Sequence, residues 1–360
     1  MNRIDRHIIS RLVLGFTVLV AGLIVFFIVL HYVEYIDDFF DRGATMRQVF
    51  LVYYPSYIPE IVKLTSPLAL FLACVYLTGK LAQSLQITAL QTTGVSLYRL
   101  MVPYLIVGLA LTGFMFWFNG WIVPETNRTV LAFEQQYLKD ASQVVDVNDI
   151  HRQNRPGTFV TVGYFDRRSN IAHRVSIQQF NDANELRQRI DAPTMSWIDS
   201  LSTWQIQNPV VRRFTDDGEH RRRLSRIDTT LAILPRDLAR TERDVESMTI
   251  PAAAEYIRDL ERSGAGNIGR TKVAYYAKYS YPIANLILVL IGMPLAAVRR
   301  RGGQAVQVGL GLVVAFIYLA VQKLTEPFGY SGVLSPLWAA WLPHLLFFLG
   351  ACVLIVTSRK

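Results

Sequence analysis

The chain has 360 residues, of which 51% are hydrophobic and only 18% charged, with a formal net charge of +9. Ordinary globular chains carry roughly 25% charged residues. The deficit argues against a wholly water-exposed protein. The positive balance then belongs to cationic flanks around membrane spans, and nucleic acid is not an expected partner.

Six stretches are apolar over about the 20 residues that a helix needs to cross a bilayer. The first covers residues 12–33. It is too long for the core of a signal peptide and lacks a small-residue cleavage site, so it reads as a retained span. Asp37, Asp38 and Asp41 follow it. The second span covers residues 58–77 and contains Pro67, which is tolerated where neighbouring helices satisfy the freed carbonyls. Cys74 sits here and Cys352 in the last apolar run. Two cysteines in apolar runs do not make a disulfide framework.

Residues 80–99 are too polar to span. Leu81, Leu85, Thr88 and Ala89 can share one helical face, and Gly94 suits the position just past a helix end. A short amphipathic helix is expected, either resting on lipid or docking into a groove of a partner. The third span covers residues 100–123.

Residues 125–271 differ in kind. Stretches such as Thr158-Phe159-Val160-Thr161-Val162, Arg174-Val175-Ser176-Ile177 and Thr203-Trp204-Gln205-Ile206-Gln207 alternate in polarity. Arg155-Pro156-Gly157, Asn181-Asp182, Asn208-Pro209 and Asp216-Asp217-Gly218 punctuate them as turns. This pattern predicts short strands in an all-β sandwich or related sheet. Helices are expected to open the domain over residues 125–139 and to close it over 251–262, with Ser263-Gly264 as a stop. Gly264 to Thr271 nearly spells a phosphate-binding loop. Arg270 replaces its lysine, and a helix end rather than a strand precedes it, so a linker is the better reading.

Spans four, five and six cover residues 276–298, 306–321 and 336–356. The fourth contains Pro282 and Pro294, and Gly309 and Gly311 dilute the fifth. Six crossings put the N-terminal Arg3, Arg6 and Arg11, the Lys80 to Arg99 connection, Arg299 to Arg301, and the terminal Arg359 and Lys360 on one side. All four segments are basic, which makes that side cytoplasmic. The fold class is therefore an integral membrane α-helical protein, three spans plus three, with an inserted all-β domain on the opposite side. The boundaries are 1–124, 125–271 and 272–360.

No catalytic constellation stands out. The histidines are not at metal-ligand spacing, and no convincing ionisable pair is found inside the spans. Ionisable groups beside the outer membrane face carry more weight because charge is costly in lipid. Lys63, Lys278 and Lys323 lie there with Glu34, and Arg47 and Lys272 sit just beyond. They either snorkel or form a cationic set that meets a phosphorylated amphiphile. Lys63 is the most interior.

The chain resembles the LptF/LptG (YjgP/YjgQ) permease family of the lipopolysaccharide export ABC transporter along essentially its whole length. Ile4-Asp5-Arg6-His7-Ile8 looks like the family's start, and residues 59–75 around Pro67 look like its second span. Leu90-Gln91-Thr92-Thr93-Gly94-Val95-Ser96 is similar to its coupling helix. Residues 119–124 resemble the end of its third span. Tyr256-Ile257-Arg258-Asp259-Leu260, with Lys278 and Pro282 beyond, resembles the approach to its fourth. Residues 32–43 lean toward the G-type half.

The resemblance implies a non-catalytic inner-membrane subunit, with both termini cytoplasmic and a periplasmic β-jellyroll. It implies a heterodimer with a paralogous LptF/LptG-type permease. It also implies a cytoplasmic LptB-type ATPase dimer that uses ATP and magnesium, and an LptC/LptA-type periplasmic bridge. No cofactor is expected on this chain. Spans one and five would line a lipopolysaccharide cavity. Leu85, Gln86, Ala89, Leu90 and Gly94 would form the coupling element. Lys63, Arg47, Lys278 and Lys323 would face lipid phosphates. Two departures stand out. Gln86 occupies a position that is usually acidic, and Asp37, Asp38 and Asp41 replace lysines that some members carry after span one. Two rivals remain: a membrane-anchored sensor or assembly scaffold with a β ligand domain, and a lipid-modifying membrane enzyme.

Overall fold

A computed structural model describes residues 3–138, 148–166, 169–181, 183, 185–199, 201–215, 218–238, 244–262, 268–298 and 302–357. The basic run at 299–301, the terminal Arg359 and Lys360, Lys139, Asp182, Asp216, Asp217 and the 263–267 part of the glycine-rich stretch lie outside the described residues. The chain divides into two units. One comprises residues 1–141, 245–250 and 272–360, and the other comprises 142–244 and 251–271.

The first unit is helical. Its elements are α1 (Arg3–Asp41), α2 (Met46–Gln48), α3 (Tyr54–Gln83), α4 (Gln86–Thr92), α5 (Leu97–Trp117) and α6 (Val123–Tyr137). Five helical stretches among the described residues are long and apolar enough to cross a membrane on their own. Two further helices, Gly269–Ser280 and Ile283–Ala297, are bent by 54° and make a sixth span if the pair is counted as one. Pro282 stands at that bend. A proline lacks the N–H and clashes with the carbonyl four residues back, which breaks the helix there.

Two other prolines do not end their helices. A π-helical turn, Val49–Tyr53, joins α2 to α3 just before Pro55, and another, Phe118–Ile122, joins α5 to α6 just before Pro124. The wider turn takes up the carbonyl that the proline would orphan, so the helix continues. The third span and the helix expected after it are thus one rod, running from Leu97 to Tyr137. At 1.5 Å per residue it is about 60 Å long, roughly twice the hydrocarbon thickness.

The core lies where α3 meets the helix that follows the bend. Leu70, Phe71, Cys74 and Val75 of α3 are buried against Leu288, Val289 and Met293. Gly292 permits this approach, since a Cβ there would lie 3.0 Å from the Phe71 ring. Cys74 is a buried free thiol and Cys352 an exposed one. Buried hydroxyls in this core find partners on neighbouring helices. Thr78 donates to Tyr104 at 2.9 Å, and Ser66 to Asn285 at 3.2 Å.

One end of the unit brings the start of α1 together with the start of α5. Arg99 donates to both carboxylate oxygens of Asp5 at 2.9 and 2.7 Å, which ties the start of α5 to the start of α1. Tyr98 donates to the Ile355 carbonyl, and Gln304 to that of Tyr76.

The second unit holds eight antiparallel strands: β1 (Asn148–Arg155), β2 (Thr158–Asp166), β3 (Ile171–Phe180), β4 (Leu186–Ile198), β5 (Thr203–Gln207), β6 (Val210–Thr215), β7 (Gly218–Arg223) and β8 (Arg226–Thr229). β1 to β4 form a meander. The 13-residue β4 then carries two partners on its other edge, β6 along Gln188–Asp191 and β5 along Thr194–Ile198. β8 extends β5 and β7 extends β6. The expected alternation is borne out, with Val160, Val162, Ile177, Met195 and Ile206 buried on one face. Gly157 follows Pro156 with φ +74, a conformation that L side chains rarely adopt. α7 (Pro235–Leu238) and α8 (Ile250–Arg262) complete the inserted region.

Trp204 is fully buried at the centre of this sheet and donates from Nε1 to the Ile233 carbonyl at 2.7 Å. Trp204→Ala is expected to destabilise the inserted unit by about 4 kcal/mol. Urea-dependent proteolysis within residues 148–238 of the full chain would read this as a lower transition midpoint.

The first unit closes with α9 (Gly269–Ser280), α10 (Ile283–Ala297), α11 (Gly303–Tyr330) and α12 (Pro336–Thr357). The fifth span, expected to be the shortest, is a 28-residue helix. Gly311 serves its packing, because a Cβ there would meet Val75 at 3.2 Å. Gln307 donates to the carbonyls of Ala296 and Val298 and so satisfies the end of α10.

Candidate functional site

Two places in the helical unit bear on function. One is a polar cluster among α3, α9 and α11, with a volume of about 150 Å³. Lys63, Lys278 and Lys323 all line it, so three of the four expected cations converge. Arg47 is exposed on α2 and lies outside it.

The lysines do not stand alone. Lys63 Nζ lies 2.5 Å from Glu60, one helical turn earlier. Glu60 is 8% exposed and also accepts from Asn127 at 3.0 Å. Lys323 pairs with Glu326 at 3.0 Å, and Tyr330 donates to the same carboxylate. Lys278 is buried beneath them, its backbone carbonyl held by Asn119 at 3.1 Å. Glu246, from the segment that returns to this unit, is the third acid of the lining. Three lysines and three glutamates line the cluster. Mutual pairing is what allows these charges to leave water.

This corrects the expectation that the spans hold no ionisable pair. Glu60–Lys63 and Lys323–Glu326 are both i,i+3 pairs, a spacing at which helical side chains meet. That spacing was visible in the sequence. Asn127 and Glu246 carry no such local signal.

A second buried polar chain lies near the far end of α1. Tyr53 donates to Glu134 at 3.1 Å and therefore accepts from His31 Nε2 at 3.2 Å. His31 Nδ1 then accepts from Tyr54 at 3.4 Å. The directions form one consistent relay with a neutral imidazole protonated at Nε2. Phe39, Tyr57 and Phe133 pack around it. No group of His, Cys, Asp and Glu among the described residues is arranged to hold a metal ion.

The other place is α4. The sequence predicts a short amphipathic helix within residues 80–99, stopped at Gly94, with Leu81, Leu85, Thr88 and Ala89 on one face. The structure breaks it: α3 ends at Gln83, and Leu85 sits in the left-handed region at φ +63. The kink rotates the register. Ile87 is buried and Leu90 packs against the core, while Leu85, Gln86 and Ala89 are exposed. The stop at Gly94 is as expected, with φ +87. The Gly94 N–H bonds the Gln91 carbonyl and the Val95 N–H that of Leu90. This is the pair of bonds that closes a Schellman ending. The next helix is capped by Ser96, whose hydroxyl accepts from the Arg99 N–H. Leu90 and Gly94 therefore build the element, and Leu85, Gln86 and Ala89 are what it displays.

Comparison with known proteins places this architecture. The family model for the lipopolysaccharide export system permease LptF/LptG matches residues 6–357. The chain is 19% identical over 353 residues to the lipopolysaccharide export system permease protein LptG of Haemophilus influenzae, with 96% of each chain covered. A bundle of apolar helices, an antiparallel β insertion and a match along nearly the full length agree: the chain belongs to the LptF/LptG family of lipopolysaccharide export permeases.

Proposed function

We propose that this chain is one permease half, nearer the G type, of an ABC transporter that extracts lipopolysaccharide from the inner membrane and hands it to a periplasmic bridge. The observation that carries the reading is the one-sidedness of the bundle. In the apolar window of the stretch containing α3, 67% is buried within the chain, against 11% for α1, 22% for α11 and 28% for the shorter α12. Two long apolar helices with little covering from their own chain suit the walls of a cavity that a paralogous permease completes. The basic end is cytoplasmic by the positive-inside rule, which puts α4 within reach of an ATPase and the β unit in the periplasm. ATP hydrolysis belongs to that separate chain.

The paired lysines give the cargo reading a specific form. Lys63 and Lys323 each already have a carboxylate, so at these two a lipid phosphate would have to exchange with Glu60 or Glu326 rather than fill a vacant cationic site. Lys323 is the most exposed of the three. Arg47 stands apart as an exposed cation available to a headgroup.

The test is photo-crosslinking in living cells from the outer ends of the three helices. Val29, Leu64 and Leu324 are exposed on α1, α3 and α11, and Leu349 on α12 serves as the lipid-facing reference. Crosslinks to lipopolysaccharide from the first three, exceeding those from Leu349 and changing when the ATPase is inactivated, are expected. Equal crosslinking from all four positions would sink the reading. A sensor or scaffold would show no dependence on the ATPase.

A further inference from the structure

The basic end of the bundle holds a second lined space, and its charges are arranged differently from those of the lysine–glutamate cluster. A cavity of about 680 Å³ opens between α1, α3 and α11. That is within the range of pockets that hold a small-molecule ligand, roughly 300–1,000 Å³. Arg11, Leu14, Gly15 and Val18 line it from α1 at the i, i+3, i+4, i+7 spacing of one helical face. Ala73, Leu77 and Lys80 line it from α3 at the same spacing, and Val308 and Leu312 from α11.

Arg11 lies early in α1 and Lys80 late in α3, yet both line this one cavity, so the helices run antiparallel and bring both cations to the same end. A Cβ on Gly15 would lie 3.4 Å from that of Ala73, so the two helices nearly touch at the floor. From Arg11 to Val18 the apolar wall runs about 10 Å along the axis.

No Asp or Glu lines the cavity. Neither Arg11 nor Lys80 forms an ion pair among the described residues. A long apolar slot with two uncompensated cations at its mouth has a defined chemical complement: a hydrocarbon chain with an anion at one end. A choline headgroup would place its ammonium against those cations.

We infer that this cavity is a binding site for an anionic glycerophospholipid of the leaflet facing the basic end. One acyl chain lies between α1, α3 and α11, and the phosphate is met by Arg11 and Lys80. Its cations are distant from the lysine–glutamate cluster, because Lys63 and Lys80 are 17 residues apart on α3, about 26 Å, while its walls on α1 and α11 belong to the helices proposed to enclose the cargo. It also touches the joint before α4: Ser84 and Gln86 line the same cavity. Occupancy therefore bears on the left-handed kink at Leu85.

The experiment is native mass spectrometry of the full chain, purified with the subunits that co-elute, stripped of lipid and offered phosphatidylglycerol and phosphatidylcholine in equal amounts. One phosphatidylglycerol per chain is expected, retained over phosphatidylcholine, with retention falling about fivefold for each cation removed in Arg11→Gln and Lys80→Gln. Val18→Trp fills the slot while keeping both cations and is expected to lose the lipid as well, which keeps the test open if a charge variant fails to fold. Lys323→Gln, on the far cluster, is expected to leave retention unchanged. Equal retention of the two lipids overturns the site, and so does full retention in the Arg11→Gln, Lys80→Gln double variant. Displacement by inorganic phosphate would show an ion site without the acyl slot. Displacement by lipopolysaccharide would make the cavity part of the cargo route. Either result also overturns the proposal.

Discussion

Glu60→Ala is expected to destabilise the helical unit by about 3 kcal/mol, the lower end of what breaking one side of a buried ion pair costs. Glu60 is 8% exposed and holds both Lys63, at 2.5 Å, and Asn127, at 3.0 Å. Its loss leaves an unpaired ammonium in a largely buried cluster beside Lys278, with one acid fewer to balance three lysines. The Coulomb term and the desolvation term then act in the same direction. Removing both partners is a different matter. Glu60→Gln with Lys63→Met leaves no uncompensated charge and keeps an acceptor for Asn127, so it is expected to fall within about 1 kcal/mol of the parent.

Thermal unfolding in detergent, followed by circular dichroism, separates these outcomes. A single Glu60→Ala variant as stable as the parent would mean that water or lipid reaches Lys63 freely. The same variant bears on cargo. If Lys63 exchanges between Glu60 and a lipid phosphate, freeing it raises crosslinking from Leu64 even as stability falls.

Leu85→Asn is expected to separate the stability of the α4 segment from the docking role proposed for it. A leucine at φ +63 costs about 1–2 kcal/mol through the clash of its Cβ with the following carbonyl. Asparagine visits that region more readily, so this substitution is expected to be neutral or mildly stabilising in a melting curve. Leu85 is also 48% exposed, so its side chain contributes little to the core. If it docks into the ATPase, its loss removes about 1.5–3 kcal/mol of burial, a tenfold to hundredfold drop in affinity. Co-purification of the ATPase, titrated against chain concentration, measures this. Unchanged co-purification would exclude Leu85 as a docking group. Ile87→Asp is a poorer probe, because Ile87 is 5% exposed and its replacement also damages the packing beneath α4.

The strain at Leu85 also explains why the amphipathic pattern misled. Helical periodicity assumes an unbroken backbone, and residues 80–99 satisfy it on paper. One left-handed residue rotates everything after it. Ile87 and Leu90 then turn inward, although the unbroken pattern pointed to Leu85, Thr88 and Ala89. The glycine stop at 94 was legible because the cost of φ > 0 is a property of one residue. The kink at 85 was not, since it puts leucine where that cost is highest.

By itself the sequence determined the apolar stretches, their order and the β insertion. These follow from terms that act residue by residue or over a few neighbours: hydrocarbon length, period-two alternation, turn chemistry and the cost of charge in lipid. Only the tertiary structure decided which charges meet. Arg99 finds Asp5 across 94 positions and Asn127 finds Glu60 across 67. His31 joins Tyr53 and Glu134 in a relay that no spacing announces. Hydropathy is a sum over single residues, whereas pairing depends on which helix faces pack together. In sequence the lysines beside the spans thus read either as snorkelling cations or as a set that meets a phosphate. In the fold Lys63 and Lys323 have glutamate partners and Lys278 lies buried beside them, whereas Arg11 and Lys80 line a cavity that has no acid among its lining residues.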